Sequence, residues 1–343
     1  MRKLLNTLYV TTANAYLSRD GMNVVVKSED CEIFRISILN IEGIVSFGYM
    51  GASPALIQLC CEYNVALSFL NQNGRFMGSI SGRTKGNVLL RRKQYRLADD
   101  HKNSLQLASI MIAGKIANSR NVIERYIRDH VKDSQRNELE NVSQKLKRYK
   151  SSVLRAETFD ELRGMEGDAS CLYFSVFDHL IVSQKNVFQF HGRNRRPPKD
   201  KVNAMLSFVY TLLAHEVESA LESVGLDPYV GFLHTDRPGR ISLALDMMEE
   251  LRSYIADRLV LTLINRHQID EKGFVEHAGQ GVVMDDKTRK ELLQSWQKRK
   301  REEINHPYLG EKIPIGLIPY VQALLLARFL RGDIDNYPVF IVP

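Results

Sequence analysis

The spacing of apolar positions changes once along this chain. Up to about residue 80 they come in short β-branched runs, at 4–10, 15–18, 23–27, 32–36, 43–46, 65–70 and 75–80, separated by turn dipeptides such as Asp20-Gly21 and Asn73-Gly74. Such punctuation predicts strands joined by tight connections. One helix interrupts them, opened by Ser53 as N-cap with Pro54 at the first helical position and continuing through ALIQLCCEYN. From about Asn87 the period lengthens, and NVLLRRKQYRL and LQLASIMIAGKIANSRNVIERYIRDH carry apolar residues at helical intervals. Further helices are predicted over 158–181, 202–224, 241–266, 285–303 and 315–330, each bounded by caps or prolines. The expected fold is therefore α+β, with a small β-rich N-terminal domain over 1–86 and a large all-α C-terminal domain over 87–343. A length of 343 residues fits two domains with a sizeable core. Segments 189–200, with Pro197-Pro198, and 268–286, with Gly273, Gly279 and Gly281, are candidate mobile or partner-contacting loops.

Charge sharpens this picture modestly. A net +7 and a pI near 9.1 favour polyanionic partners, and the basic residues cluster at Arg91-Arg92-Lys93, 145–150, 193–201 and 298–301. Cys31, Cys60, Cys61 and Cys171 lack metal or redox spacing and are expected to be buried free thiols in a reducing compartment. No apolar run approaches the roughly 18 residues of a membrane span, and Asn6 and Thr7 break the apolar part of the signal-like N-terminus, so a cytoplasmic protein is expected. The chain has no serine elbow, Walker A loop or dinucleotide fingerprint.

Two segments carry the candidate chemistry. In GLDPYVGFLHTDRPGRISLALDMMEELR, residues 225–252, His234 follows an apolar stretch, and Asp236, Pro238 and Gly239 then turn the chain into a helix. Along that helix Asp246, Glu249, Glu250, Ser253 and Asp257 share a polar stripe, while Ala244, Met247, Met248 and Leu251 mark the apolar face. An imidazole with carboxylates suits Mn²⁺, Zn²⁺ or Fe²⁺, and Mg²⁺ when waters complete the shell. The competing reading is a solvated acidic face. The second segment is FDELRGMEGDASCLYFSVFDHLI, where Glu166 lies between Gly164 and Gly167 in a helical pattern. Each glycine costs up to about 1 kcal/mol against alanine within a helix, which fits a backbone or ligand approaching closely; a helix boundary at the glycines is the alternative. His179 and His215 read as core or partly buried polar residues, His130 and His306 as residues near helix ends, and His191, His267 and His277 as residues in or beside loops that could approach a substrate. Joined to the basic clusters, a metal-competent carboxylate site points to phosphodiester chemistry.

LRGMEGDASCLYF around Glu166, NAMLSFVYTLL from Asn203, and the 225–252 block, in that order, resemble the spacer-acquisition endonuclease and integrase of CRISPR systems, the larger of the two universal adaptation proteins, in its type I form. The resemblance extends over essentially the whole chain. It implies Glu166, His234 and Glu249 as metal ligands and catalytic residues, Asp246 as a supporting carboxylate, and Mg²⁺ or Mn²⁺ as the ion. It further implies a homodimer, with dimerisation assigned to the N-terminal domain, that joins a small ferredoxin-like acquisition protein on DNA, both double-stranded fragments and the CRISPR repeat and leader. In the implied reaction a DNA 3′-hydroxyl attacks a repeat-border phosphodiester, inserting a spacer into the array. Arg163 and Arg237 are candidate phosphate contacts and Tyr173 a candidate for a DNA end; structural salt bridges and packing are the alternatives. A stand-alone DNA nuclease in repair and a non-catalytic DNA-binding scaffold remain as rival functions. Convergence of Glu166, His234 and Glu249 is the sharp structural expectation, and the tail DNYPVFIVP is apolar enough to dock.

Overall fold

Seven strands and one helix form where the first eighty residues predict them. The structure, a computed structural model, describes residues 7–12, 14–29, 31–41, 43–47, 50–63, 65–70, 76–80, 88–129, 135–194, 197–277 and 281–342. Residues 4–6, 75, the Asn73-Gly74 turn, Asn87, His130, Gly279 and the side chain of His277 lie outside that description. Two compact units result, one of residues 1–85 with 284–302 and one of 86–283 with 303–343.

In the first unit, β1 (Thr7–Val10), β5 (Gly43–Phe47) and β6 (Ala66–Leu70) run parallel, and β7 (Phe76–Ile80) pairs antiparallel with β6. A second sheet, β2 (Tyr16–Asp20), β3 (Asn23–Ser28) and β4 (Cys31–Ser37), is an antiparallel meander. Leu17, Val24, Val26, Ile44 and Leu67 bury their side chains with Leu56 and Leu59 of α1 (Pro54–Tyr63) in one apolar core. Ser53 caps α1, its Oγ accepting from the Leu56 amide at 3.2 Å. A helix distant in sequence, α9 (Asp286–Arg301), belongs to this unit, and Gln297 Nε2 donates to the Thr7 carbonyl at 3.3 Å. The four cysteines are free, but the expectation of burial holds fully only for Cys60; Cys61 is half-buried, and Cys31 and Cys171 sit on exposed faces of their elements.

The second unit is built around α3 (His101–Asp129), which packs against α4 (Arg136–Val153), α5 (Phe159–Ser175) and α7 (Ser242–Leu251). Ala108, Ala113, Gly114 and Ala117 keep α3 slender enough for neighbours on several sides. A Cβ at Gly114 would stand 2.3 Å from Val339 Cγ2, so the C-terminal segment requires the bare backbone there. Around this centre lie α2 (Val88–Asp99), α6 (Lys201–Val224), α8 (Arg258–Asn265) and α10 (Ile318–Arg331). The expectation of an all-α region after residue 87, with a loop over 268–286, is corrected by two short two-stranded ribbons, β8 (Phe274–His277) with β9 (Gly281–Met284) and β10 (Glu303–Asn305) with β11 (Lys312–Pro314), whose segments are too short for helical periodicity to register. Asp200 caps α6 by accepting from the Asn203 amide at 2.7 Å, and Gly225, at φ 84°, ends it in the left-handed conformation. No helix among the described residues is long and apolar enough to cross a membrane. His306, expected at a helix end, instead follows β10 fully buried, with Nε2 3.2 Å from Gln322.

The predicted helix over 241–266 is three segments, because residues Arg252–Asp257 form a π-helical turn between α7 and α8. That wider turn admits an extra residue and redirects the following side chains. The expectation of a solvated acidic face is overturned: Asp246, Glu249, Glu250, Ser253 and Asp257 are each 5% exposed or less. Charges at that depth must be paired or neutralised.

Glu250 shows one solution. It accepts hydrogen bonds from the Tyr337 hydroxyl, the Phe340 amide at 2.5 Å and Gln322 Nε2 at 3.2 Å. The tail is tied down beside it by Asn118, whose Nδ2 donates to the Glu250 and Phe340 carbonyls, both at 2.7 Å, and whose Oδ1 accepts from the Val342 amide at 2.9 Å. The tail therefore docks within its own unit, Pro343 lying outside the described residues. With no cation in its shell, burial pushes the Glu250 carboxyl up to about 7 from an ordinary 4.5, the three donors only moderating the rise. The folded state then holds the proton more tightly than the unfolded chain, so stability from this group is complete below 4.5 and lost as pH rises through about 7. Glu250→Gln should flatten that decline when thermal unfolding is followed without added divalent cation; parallel wild-type and mutant curves would refute it.

Candidate active site

One ammonium organises the centre of the second unit. Lys115, on the middle of α3, contacts Glu166 Oε1 on α5 and lies 2.8 Å from Glu249 Oε2 on α7. Helical spacing alone could not join these residues, since they come from three helices that meet only in the fold. Ser170 Oγ, one turn after Glu166, donates to Glu166 Oε1 at 2.9 Å, and Arg252 Nη2 grips Glu249 Oε1 at 2.6 Å. Glu249 Oε2 is buried and outside hydrogen-bond geometry, with Lys115 as its ion contact.

His234 reaches the site on a segment folded around Asp246. The Asp246 carboxylate accepts from the amides of Phe232 at 2.6 Å, Leu233 at 2.9 Å and His234 at 3.1 Å, and also contacts the His234 Nδ1. Nδ1 is thereby committed, and Nε2 has no hydrogen-bond partner among the described residues. Gly231 makes this wrapping possible, because a Cβ there would stand 2.8 Å from both Asp246 Oδ2 and Ser242 Cβ. Arg163 on α5 fastens the same segment, donating to the Leu233 carbonyl at 3.2 Å.

The carboxylates of one helix are driven apart electrostatically. Burial raises the Glu249 carboxyl, but Arg252, then Lys115, then the nearby His234 outweigh it and hold it at about 2. Burial leaves Asp257 at about 6, although it accepts from Tyr210 at 2.5 Å and Tyr173 at 3.1 Å and lies near Arg252. Tyr210 is flanked by guanidiniums, with Arg252 4.9 Å and Arg193 5.1 Å from its ring centre. A cavity of about 20 Å³ borders Lys115 and Arg252, the cations of the carboxylate pair, and is lined also by Ser119, Ser170, Tyr173, Ser253 and Asp257 among others.

Of the expected ligands, Glu166 and Glu249 meet on Lys115, and His234 stands close enough to affect Glu249. Among the described residues no three His, Cys, Asp or Glu side chains form a ready metal cage. Asp246 is wholly buried and acts on His234 and its backbone. Tyr173, offered to a DNA end, is 3% exposed, its ring packed on Phe174 and Phe177 and its hydroxyl given to Asp257. Arg163 pairs with Asp160 at 3.2 Å besides holding Leu233, whereas Arg237 is exposed on the turn after His234. The helix boundary at the glycines is also overturned, since α5 runs unbroken through Gly164 and Gly167. A Cβ at either would meet nothing within 4 Å, so no neighbouring part of the described chain demands them.

Lys115 and Arg252 were missed by the sequence reading. The available signal for Lys115 is a single charge in the otherwise uncharged run LASIMIAGKIANS. Arg252 lies three residues after Glu249, a spacing that brings them onto one face.

Residues 8–298 match the family profile described as "CRISPR associated protein Cas1". The chain is 49% identical over 341 residues to CRISPR-associated endonuclease Cas1 1 of Chlorobaculum tepidum, covering 99% of each. It is 47% identical over 343 residues to CRISPR-associated endonuclease Cas1 2 of Rhodospirillum rubrum, covering 98% of each. A Cas1 protein structure from Thermotoga maritima superposes with a TM-score of 0.81 at 24% identity, over 98% of this chain and 100% of that one.

Removing one partner of a buried ion pair strands the other charge, a loss of about 3–5 kcal/mol. Arg252→Met should lower unfolding free energy by that order in urea titration, because Glu249 would keep only Lys115 at 2.8 Å. A loss within about 0.5 kcal/mol, as for an ordinary surface change, would mean that Arg252 does not hold Glu249.

Proposed function

Because the chain belongs to the Cas1 family of CRISPR-associated proteins, we propose that it is the DNA endonuclease and integrase of CRISPR adaptation, inserting short DNA fragments into a CRISPR array in the cytoplasm. The observation that carries this reading is the meeting of Glu166 and Glu249 on one ammonium. A carboxylate pair already sharing a cation suits a divalent ion, and the buried Glu249 Oε2 outside hydrogen-bond geometry is an available donor.

Glu166, Glu249 and His234 Nε2 would hold Mg²⁺ or Mn²⁺, an oxygen-rich set with one imidazole compatible with either ion. When bound, such an ion activates an attacking hydroxyl and offsets charge gathering on the phosphate. The chain's own residues prepare that chemistry. Asp246, by engaging Nδ1, fixes the imidazole plane and leaves Nε2 as the donor atom. Arg252 keeps Glu249 ionised despite its burial. Arg237, exposed beside His234, is available to a non-bridging phosphate oxygen, and the exposed Lys145, Lys147 and Arg148 of α4 are available to track a DNA backbone. Gly164 and Gly167, one turn apart on α5 with open space where a Cβ would stand, leave room for a DNA backbone to approach that helix. The working assembly is a homodimer joined to a small ferredoxin-like acquisition protein on double-stranded fragments and repeat-leader DNA.

The test is incubation with the acquisition partner, a 3′-hydroxyl duplex and a supercoiled repeat-bearing plasmid, with Mg²⁺ or Mn²⁺. Covalent joining is expected, and Glu166→Ala or His234→Ala should reduce it at least about 100-fold, the scale of losing a catalytic group. Cleavage without joining would favour the repair nuclease, and joining that survives both substitutions would refute the site. Gly164→Ala and Gly167→Ala should each stabilise α5 by up to about 1 kcal/mol, raising the melting temperature while slowing joining. Stabilisation with joining untouched would remove the glycine face from the substrate path.

A further inference from the structure

Two cations hold Glu249, and they differ in freedom. Arg252 is wedged, with its guanidinium 4.9 Å from the Tyr210 ring centre and a hydrogen bond of 2.6 Å to Glu249. Lys115 is an ammonium on an unbranched four-carbon stem, the more mobile kind of cation. Its head lies between Glu166 and Glu249, where the proposed function puts a divalent ion. The same lysine lines the neighbouring cavity of about 20 Å³, room for one water-sized polar group. That lining is rich in acceptors, with the hydroxyls of Ser119, Ser170, Tyr173 and Ser253 and the carboxyl of Asp257. Ser253 Oγ is buried, 2% exposed as a residue, and has no hydrogen-bond partner among the described residues. The π-helical turn brings both Ser253 and Asp257 to this cavity.

We infer that Lys115 is a displaceable resident cation of the active site. With no divalent ion present its ammonium holds Glu166 and Glu249 together, and on metal uptake it withdraws into the Ser253 cavity, exchanging carboxylate contacts for hydroxyl oxygens. Lys115 is thus a positioning residue that sets metal affinity. This rests on the reading of Glu166 and Glu249 as ligands, and both can be tested separately.

Calorimetric titration of the purified full chain with MnCl₂ alone supplies the readout, without DNA or turnover. Lys115→Met removes the competitor and should tighten Mn²⁺ binding roughly tenfold, with a larger Mn²⁺-induced rise in melting temperature than in the wild type. Lys115→Arg keeps the charge, adds a fork that grips two carboxylates, and overfills the cavity; it should weaken binding roughly tenfold. Glu166→Gln should abolish binding. If Glu166→Gln binds as the wild type does, the ligand assignment fails and the inference with it. If Glu166→Gln abolishes binding while both Lys115 variants bind like wild type, the displacement idea alone is overturned. Should Lys115→Met fail to fold, Lys115→Arg decides, unchanged affinity overturning the proposal.

Discussion

Two glutamates that face a common point repel each other unless a cation stands between them, the more so where one of them, Glu249, is almost wholly buried. Here that cation is the Lys115 ammonium, contacting Glu166 from α5 and Glu249 from α7 while itself carried on α3. The requirement shapes the unit around it. Helix α3 must pass close to both partners, which its small residues permit, and the carboxylates must sit at matching heights on α5 and α7. Arg252 supplies a second, fixed positive charge, so Glu249 remains ionised down to about 2 although it is almost wholly buried.

The same helical stretch carries three more buried carboxyls, and what each meets decides what it can do. Asp246 accepts three backbone amides and the His234 ring, so it becomes an orienting group. Glu250 meets only neutral donors from Tyr337, Phe340 and Gln322, and burial moves it up to about 7. Asp257 is held by two tyrosines and rises to about 6. Sequence neighbours Glu249 and Glu250 thus differ by several units because one faces cations and the other faces the docked tail. Cations hold Glu249 low while burial raises Glu250 and Asp257, so one helical stretch carries carboxyls shifted in opposite directions.

The site is firm on one side and open on the other. Gly231, Asp246, Arg163 and the stacked Arg252 leave little slack in the placement of His234 and Glu249. By contrast, Gly164 and Gly167 of α5 face open space. An enzyme acting on a bulky polymer benefits from this division, because ligands stay preorganised while the substrate approaches bare backbone.

Local patterning determined the N-terminal strands and most of the helices: the β-branched runs before residue 80 and the helical spacing after 87 are short-range signals that survive folding, whereas α4 and the short strands β8–β11 lay outside the expected elements. It also singled out Glu166, His234 and the acidic stripe from Asp246 to Asp257, since a glycine-flanked acid and a histidine ahead of an acidic helix are visible in one dimension, while the ranking of Glu249 over its neighbours came from the family resemblance. It could not see the π-helical turn, the burial of the acidic stripe or the packing of Tyr173, which depend on what surrounds each element. Nor could it reveal Lys115 as the partner of Glu166 and Glu249, residues 51 and 134 positions away. Periodicity reports which face of a helix is apolar, but which charges share a low-dielectric space is decided only when distant helices pack and exclude water between them.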